Sequence, residues 1–215
     1  AGVGFANPRV SPRGEWVWLY DGTVAALSSV RVTRDGSALV QASVPAMAKQ
    51  PEARLRADEL RALAFDLSRL TPLADLPLSI RAAAGDRRWT PAPIVADVHA
   101  APLGAADIEL PGPMTAEWVL PAGAHRVSAL CELPAACRVW GDCEVVLELV
   151  IGGETRPLWR HRFHSAEPEA PFNVMLGNAP VPAGAVLRVR LNPGENGPIQ
   201  DRIIIRRGLV LIDGV

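Results

Sequence analysis

Lysine is all but missing from this chain: Lys49 is the only one, and every other basic residue is arginine. The bias carries no mechanistic signal. Charge of either sign is not in excess, with 22 basic against 23 acidic residues and a formal net charge of −1. That balance excludes the electrostatic footprint that binding to nucleic acid or to an anionic membrane requires. No stretch approaches about 18 uninterrupted apolar residues, so no membrane-spanning helix is expected. Cysteine is scarce: Cys131, Cys137 and Cys143 make an odd number, which precludes a complete intrachain disulfide framework. A bridge between Cys131 and Cys137 is one option, and three reduced, buried thiols are the other. No C-x2-C knuckle suggests a structural zinc site. Histidine is also sparse: His161 and His164 stand three apart, on opposite faces of any strand, while His99 and His125 stand alone. The chain has no G-x-S-x-G elbow, no H-E-x-x-H, no Gly-rich phosphate loop and no dinucleotide fingerprint. The expectation is a protein without catalytic activity.

What the chain has in quantity is punctuation and apolar surface. Twenty prolines and 18 glycines cut its 215 residues into short segments, and 49% of the residues are hydrophobic. This is the habit of an all-β sandwich with a real core. The start, Ala1 without a Met, is read as a processed protein or a domain cut from a longer one. Residues 1–14 read as an extended leader. Glu15–Tyr20, Val24–Val32 and Ser37–Val44 read as strands, separated by the turn signals Asp21-Gly22 and Asp35-Gly36. Residues 52–70 are the one serious helix candidate: Leu60, Leu63, Leu67 and Leu70 recur at helical spacing, Asp58 could cap the start and Pro72 would end it. The rival is a strand from Leu60 to Leu67 and another from Leu76 to Arg81. Residues 100–114 read as a linker. Beyond them the strand pattern sharpens: Thr115–Leu120, His125–Leu130, Cys143–Ile151, Thr155–Phe163, Pro171–Leu176, Val186–Leu191 and Ile203–Ile212. Val145, Leu147, Leu149 and Ile151 share one face, and Gly152-Gly153 turns a hairpin. The expected organisation is an N-terminal β-rich region over 1–110, with a small sandwich of its own as one option, and a β-sandwich over 111–215.

The C-terminal hundred residues resemble the galactose-binding-like jelly rolls, in particular the NPCBM-type carbohydrate-binding modules. The resemblance is carried by an ordered series: Glu144–Glu154 leading through a hairpin to Leu158-Trp159, then Pro171-Phe172-Asn173-Val174, then the Leu/Val/Arg strand Val186–Leu191. The loop Asn192-Pro193-Gly194-Glu195-Asn196-Gly197 follows, and Asp201 precedes the closing strand. Such modules often close with D-x-x-x-W-x-x-P; here Ile205 stands at the Trp position and no Pro follows. The resemblance implies a jelly-roll-like antiparallel β-sandwich, often an accessory domain of larger bacterial glycan-active or cell-envelope proteins, with extracytoplasmic placement. The partner it implies is a glycan.

Sugar recognition needs a flat apolar platform for the ring's C–H surface and forked polar groups for its hydroxyls. Trp140 and Trp159 are the candidate platforms. Asp142, Arg160, Arg162 and Asn196 are the candidate hydroxyl partners, within a loop that also offers Asn192, Glu195, Gln200 and Asp201. The competing expectation for any Trp in a sandwich is core packing, and the alternation Trp159, His161, Phe163 could place all three inside, leaving Arg160 and Arg162 in solvent. Jelly rolls of this kind often hold a structural calcium, for which Glu195 and Asp201, with Asp142 and Asn196, are the hard-oxygen candidates. Without a metal, Asn-Pro-Gly-Glu-Asn-Gly is simply turn composition. The alternative to a glycan-binding module is a protein-interaction or structural sandwich that binds a partner chain or a neighbouring domain.

Overall fold

A computed structural model describes residues 15–20, 23–42, 52–82, 92–96 and 102–212. The leader, the Asp21-Gly22 turn, Lys49, Trp89 and His99 fall outside the described residues. The described chain is built of strands, and it divides into two compact units, Ala1–Ser68 and Arg69–Val215.

The first unit is one antiparallel sheet of five strands: β1 (Glu15–Leu19), β2 (Val24–Val32), β3 (Ala38–Ala42), β4 (Ala53–Leu55) and β5 (Leu60–Ala64), in the order β4-β3-β2-β1-β5. The Asp35-Gly36 turn between β2 and β3 forms as expected. Gly36 has φ 78°, the left-handed region that glycine enters at no steric cost, and the Asp35 carboxylate accepts hydrogen bonds from Ser37 and Thr33. Val17, Leu27, Ala38 and Val40 form a small core on one face, while the tilted rings of Trp16 and Trp18 lie on the other. The helix expected over 52–70 does not form. β4 and β5 occupy that stretch, followed by a single 3-10 turn at Leu67–Arg69. The leucines at helical spacing are used in strand fashion: Leu60 and Leu63 pair with Leu19 and Val17 of β1. Sheet pairing has overridden the local period.

The second unit is a sandwich of two antiparallel sheets. Its strands are β6 (Leu70–Pro72), β7 (Leu78–Ala82), β8 (Ile94–Val95), β9 (Ile108–Pro111), β10 (Met114–Val119), β11 (Ala124–Glu132), β12 (Cys143–Ile151), β13 (Glu154–Phe163), β14 (Glu169–Met175), β15 (Val186–Pro193) and β16 (Arg202–Ile212). One sheet runs β13-β12-β15-β10-β7; the other runs β14-β11-β16-β9-β8, with β6 also paired to β16. The boundary therefore falls at 68/69 and not at 110/111. The short strands β6, β7 and β9 are taken into the sandwich because they find partners only there: β7 pairs with β10, and β6 and β9 share one edge of β16. The 100–114 stretch is accordingly strand in its second half and not a linker.

The sheets bury their facing sides. Val145, Leu147 and Leu149 of β12, Leu187, Val189 and Leu191 of β15, and Ala116 and Trp118 of β10 meet Val127 and Cys131 of β11, Phe172 of β14 and Ile203 and Ile205 of β16 in one core. Ile205, at the position where the family pattern has Trp, is part of it. The opposite side of the β13-β12-β15-β10-β7 sheet is ionic. There Glu117 accepts from Arg188 (2.7 Å) and faces Arg81 (3.3 Å), while Glu148 accepts from Arg190 (2.7 Å). Both glutamates are buried. The alternation of Arg with Leu and Val in β15 is thus the register of a strand with one dry and one charged face.

Candidate functional site

One end of the sandwich gathers three segments: the turn Trp140–Asp142 entering β12, the end of β13, and the loop leaving β15. Strand register does the gathering. Glu144 of β12 lies directly opposite Arg162 of β13 on one side and Asn192 of β15 on the other. The alternation that sends Phe163 and Cys143 into the core sends these three outward.

Asp142 is the hub. It is buried, and its carboxylate takes a fork from Arg162, Nε to Oδ1 at 2.8 Å and Nη2 to Oδ2 at 2.7 Å. Oδ2 also accepts the backbone N–H of Glu195 at 3.1 Å. The fork holds the Asp142 carboxyl below its usual range and raises the Arg162 guanidinium. Gly194 completes the weld. A Cβ there would lie 1.9 Å from the Asp142 carbonyl oxygen and 2.4 Å from its Cγ, so only glycine permits the loop to approach this closely. Glu195 Oε1 then reaches Arg162 at 3.1 Å. The loop is tied to the turn a second time by Asn196 Nδ2 donating to the Trp140 carbonyl (3.2 Å) and by the Trp140 N–H donating to Gln200 Oε1 (3.3 Å).

These contacts leave an open cleft of about 320 Å³, lined by Glu144, Arg162, Asn192, Pro193, Gly194 and Glu195. That volume sits near the lower end of the range for small-ligand sites, about 300–1,000 Å³. Glu144 is held between Arg160 (3.3 Å) and Asn192 Nδ2 (3.3 Å). Trp140, whose backbone ties the turn to the loop and whose side chain is not part of the cleft lining, is 56% exposed, the only tryptophan among the described residues left largely in solvent.

The expected site residues part company here. Trp140, Asp142, Arg162 and Asn196 come together, and Arg160 joins them through Glu144. Trp159 does not: it sits half-buried on the opposite face of β13, its ring 5.5 Å from that of Phe172 and 6.4 Å from that of Phe163. Asp142 is inside the assembly, engaged by Arg162 and Glu195, and so orients the groups that could meet a ligand. Glu144 and Asn192 line the cleft with Arg162; Asn192 is present in the expected loop, but Glu144 is a site residue that sequence reasoning missed, since its only signal was the cross-strand register.

The oxygen donors do not suit calcium as arranged. Arg162 occupies the Asp142 carboxylate and reaches Glu195, and Asp201 is buried. Among the described residues no group of three or more His, Cys, Asp or Glu side chains could hold a metal ion. The three cysteines are free and buried. Burial pushes the Cys131 thiol up to about 12 and raises that of Cys143 further.

No family model and no curated protein sequence matches the chain. Solved structures do. The M60 catalytic domain with the CBM51-1 and CBM51-2 domains of Clostridium perfringens ZmpB superposes with a TM-score of 0.50 at 12% identity, covering 87% of this chain and 19% of that one. The shared fold is a jelly-roll-like antiparallel β-sandwich. The CBM51-2 and INT domains of the same protein give a TM-score of 0.48 at 11% identity, over 92% of this chain and 43% of that one. CBM51 from Clostridium perfringens GH95, solved with methyl-galactose, gives 0.44 at 9% identity, over 66% and 99%. This chain spans less than half the length of the first two structures. At 12% identity the likeness to the first structure shows the fold alone and leaves function to the site.

Proposed function

We propose that this jelly roll is a non-catalytic glycan-binding module, and that its sugar sits in the cleft between Glu144, Arg162, Asn192 and the 194–196 loop. The observation that carries the reading is a cleft of polar side chains at the end of the sandwich where the exposed Trp140 is tied through its backbone to the loop that walls the cleft. Trp140 supplies the apolar platform; Glu144 and Glu195 accept from hydroxyls, and Asn192 both donates and accepts. The pieces are held in advance by Asp142, so little ordering is required on binding. The neighbours' architecture supports the same reading, as does the absence of any recognised catalytic motif. The chain then serves as an accessory domain of a larger bacterial glycan-related or cell-envelope protein. A glycan-array screen of the chain tests this: saturable binding lost in Trp140→Ala and in Glu144→Gln, but kept in Trp159→Phe, is the expected result. A blank array overturns it.

One observation favours a second reading. Val139, Trp140 and Ile199 are 75%, 56% and 55% exposed on two loops that are hydrogen-bonded together. Exposed apolar side chains grouped in this way suit docking of a partner protein or a neighbouring domain. A cross-link from this end to a partner chain, competed by no sugar, would favour it.

A further inference from the structure

The ionisable groups around the cleft are unequal in sign and unequal in availability. Its lining carries two carboxylates, Glu144 and Glu195, and one guanidinium, Arg162. Adding the two charged neighbours that touch the lining, Asp142 and Arg160, gives three acids against two arginines, a net charge of −1. Both arginines are engaged by carboxylates: Arg162 by Asp142 in a two-bond fork and by Glu195, and Arg160 by Glu144. The Arg162 edge that would take a carboxylate or sulfate in bidentate geometry is filled by Asp142, while Arg160 gives only its Nε to Glu144 and stays 66% exposed. The acids differ. Glu195 gives Oε1 to Arg162 while its side chain stays 83% exposed, and Glu144 stands 31% exposed on the cleft floor between Arg160 and Asn192.

Resting on the reading that the cleft seats a sugar, we infer that the site selects for sugars bearing a free ammonium group, over their N-acetylated forms, and disfavours uronic acids and sulfated sugars. An ammonium beside Glu195 meets an accessible carboxylate and offsets the residual negative charge of the cleft. A carboxylate placed there adds to that residual negative charge and finds the forked edge of Arg162 already filled by Asp142. One net charge acting over about 4–6 Å at near-solvent dielectric corresponds to a preference of about threefold to fivefold, and salt screens it.

The test is a calorimetric titration of the full chain with hexose series, gluco, galacto and manno, each presented as the free amine, the N-acetyl and the uronate form. Mildly acidic buffer keeps the sugar amine protonated. In whichever series binds, the ammonium form is expected to bind about threefold to fivefold more tightly than the N-acetyl form, and the uronate more weakly than either. The ammonium-to-N-acetyl ratio should fall toward one in Glu195→Gln and in high salt. N-acetyl binding with no ammonium preference, or a uronate that binds as well, overturns the selectivity and leaves the cleft reading standing. No binding by any form overturns both.

Discussion

Replacing Asp142 by Asn keeps the side chain's shape and removes what its charge does. The native carboxylate accepts three hydrogen bonds, two from Arg162 and one from the Glu195 N–H. An Asn oxygen can keep the Arg162 Nε bond. Its amide nitrogen then faces Nη2 and the Glu195 N–H, donor against donor. A hydrogen bond to a charged group contributes about 1.5–3 kcal/mol. Arg162 is half in solvent and can be rehydrated, which discounts its lost bond. The sum is a destabilisation of about 2 kcal/mol, or a fall in Tm of about 4–8 °C for a domain of this size. Urea and thermal unfolding of the wild type, Asp142→Asn, Arg162→Ala and the double variant would measure it. The single losses should fail to add in the double variant by at least about 0.5 kcal/mol. The sign with pH is also set. The folded-state value of Asp142 is lowered below the ordinary 3.8. Its contribution is therefore complete above that pH and is lost as pH falls through the lowered value. The gap between wild type and Asp142→Asn should stay constant from neutrality down to mild acid and close only below about pH 4. An Asp142→Asn chain within about 0.5 kcal/mol of wild type, the range of ordinary surface changes, would refute the hub.

Gly194→Ala should cost about 1–3 kcal/mol by overpacking against Asp142 and should weaken sugar binding, measured by urea unfolding and by titration; a neutral outcome would contradict the close approach. Leu147→Ala, in the middle of the core, should cost about 2–5 kcal/mol without moving the cleft. Cys131 and Cys143 should resist an exposed-thiol reagent at mildly alkaline pH and react only on unfolding, since both are buried with raised thiol pKa values.

The strands from Met114 onward were legible because alternation there is strict and the punctuation regular, as in Val145, Leu147 and Leu149 or in the Arg and Leu/Val alternation of β15. The hairpin was legible for a similar reason: Gly152 and Gly153 both have positive φ, at 59° and 90°, the pattern of a type I′ turn. The helix over 52–70 misled because leucines three and four apart satisfy a helix locally, while pairing with β1 is a distant event that no window contains. The 110/111 boundary failed for the same reason. Pro- and Gly-rich spacing around 100–114 looks like a linker until β16 offers an edge. At the site, Trp140, Asp142, Arg162 and Asn196 could be named from residue type and loop position. Their division of labour could not be read: a buried Asp and an exposed one look alike in sequence, and Glu144 enters the cleft only through register with Arg162 and Asn192. Trp159 was ambiguous by alternation, and the core took it because Phe163 on the same face is fully buried.

The central claim is that the cleft beside Trp140 seats a sugar. Amide and indole chemical shifts of the labelled chain, followed while an array-positive sugar is added, test it most directly. The account predicts saturable shifts at the Trp140 indole N–H, the Gly194 and Glu195 amides and the Asn192 side-chain amide, with the Trp159 indole unmoved. Saturable shifts centred on another face, or none at any sugar concentration, would contradict it.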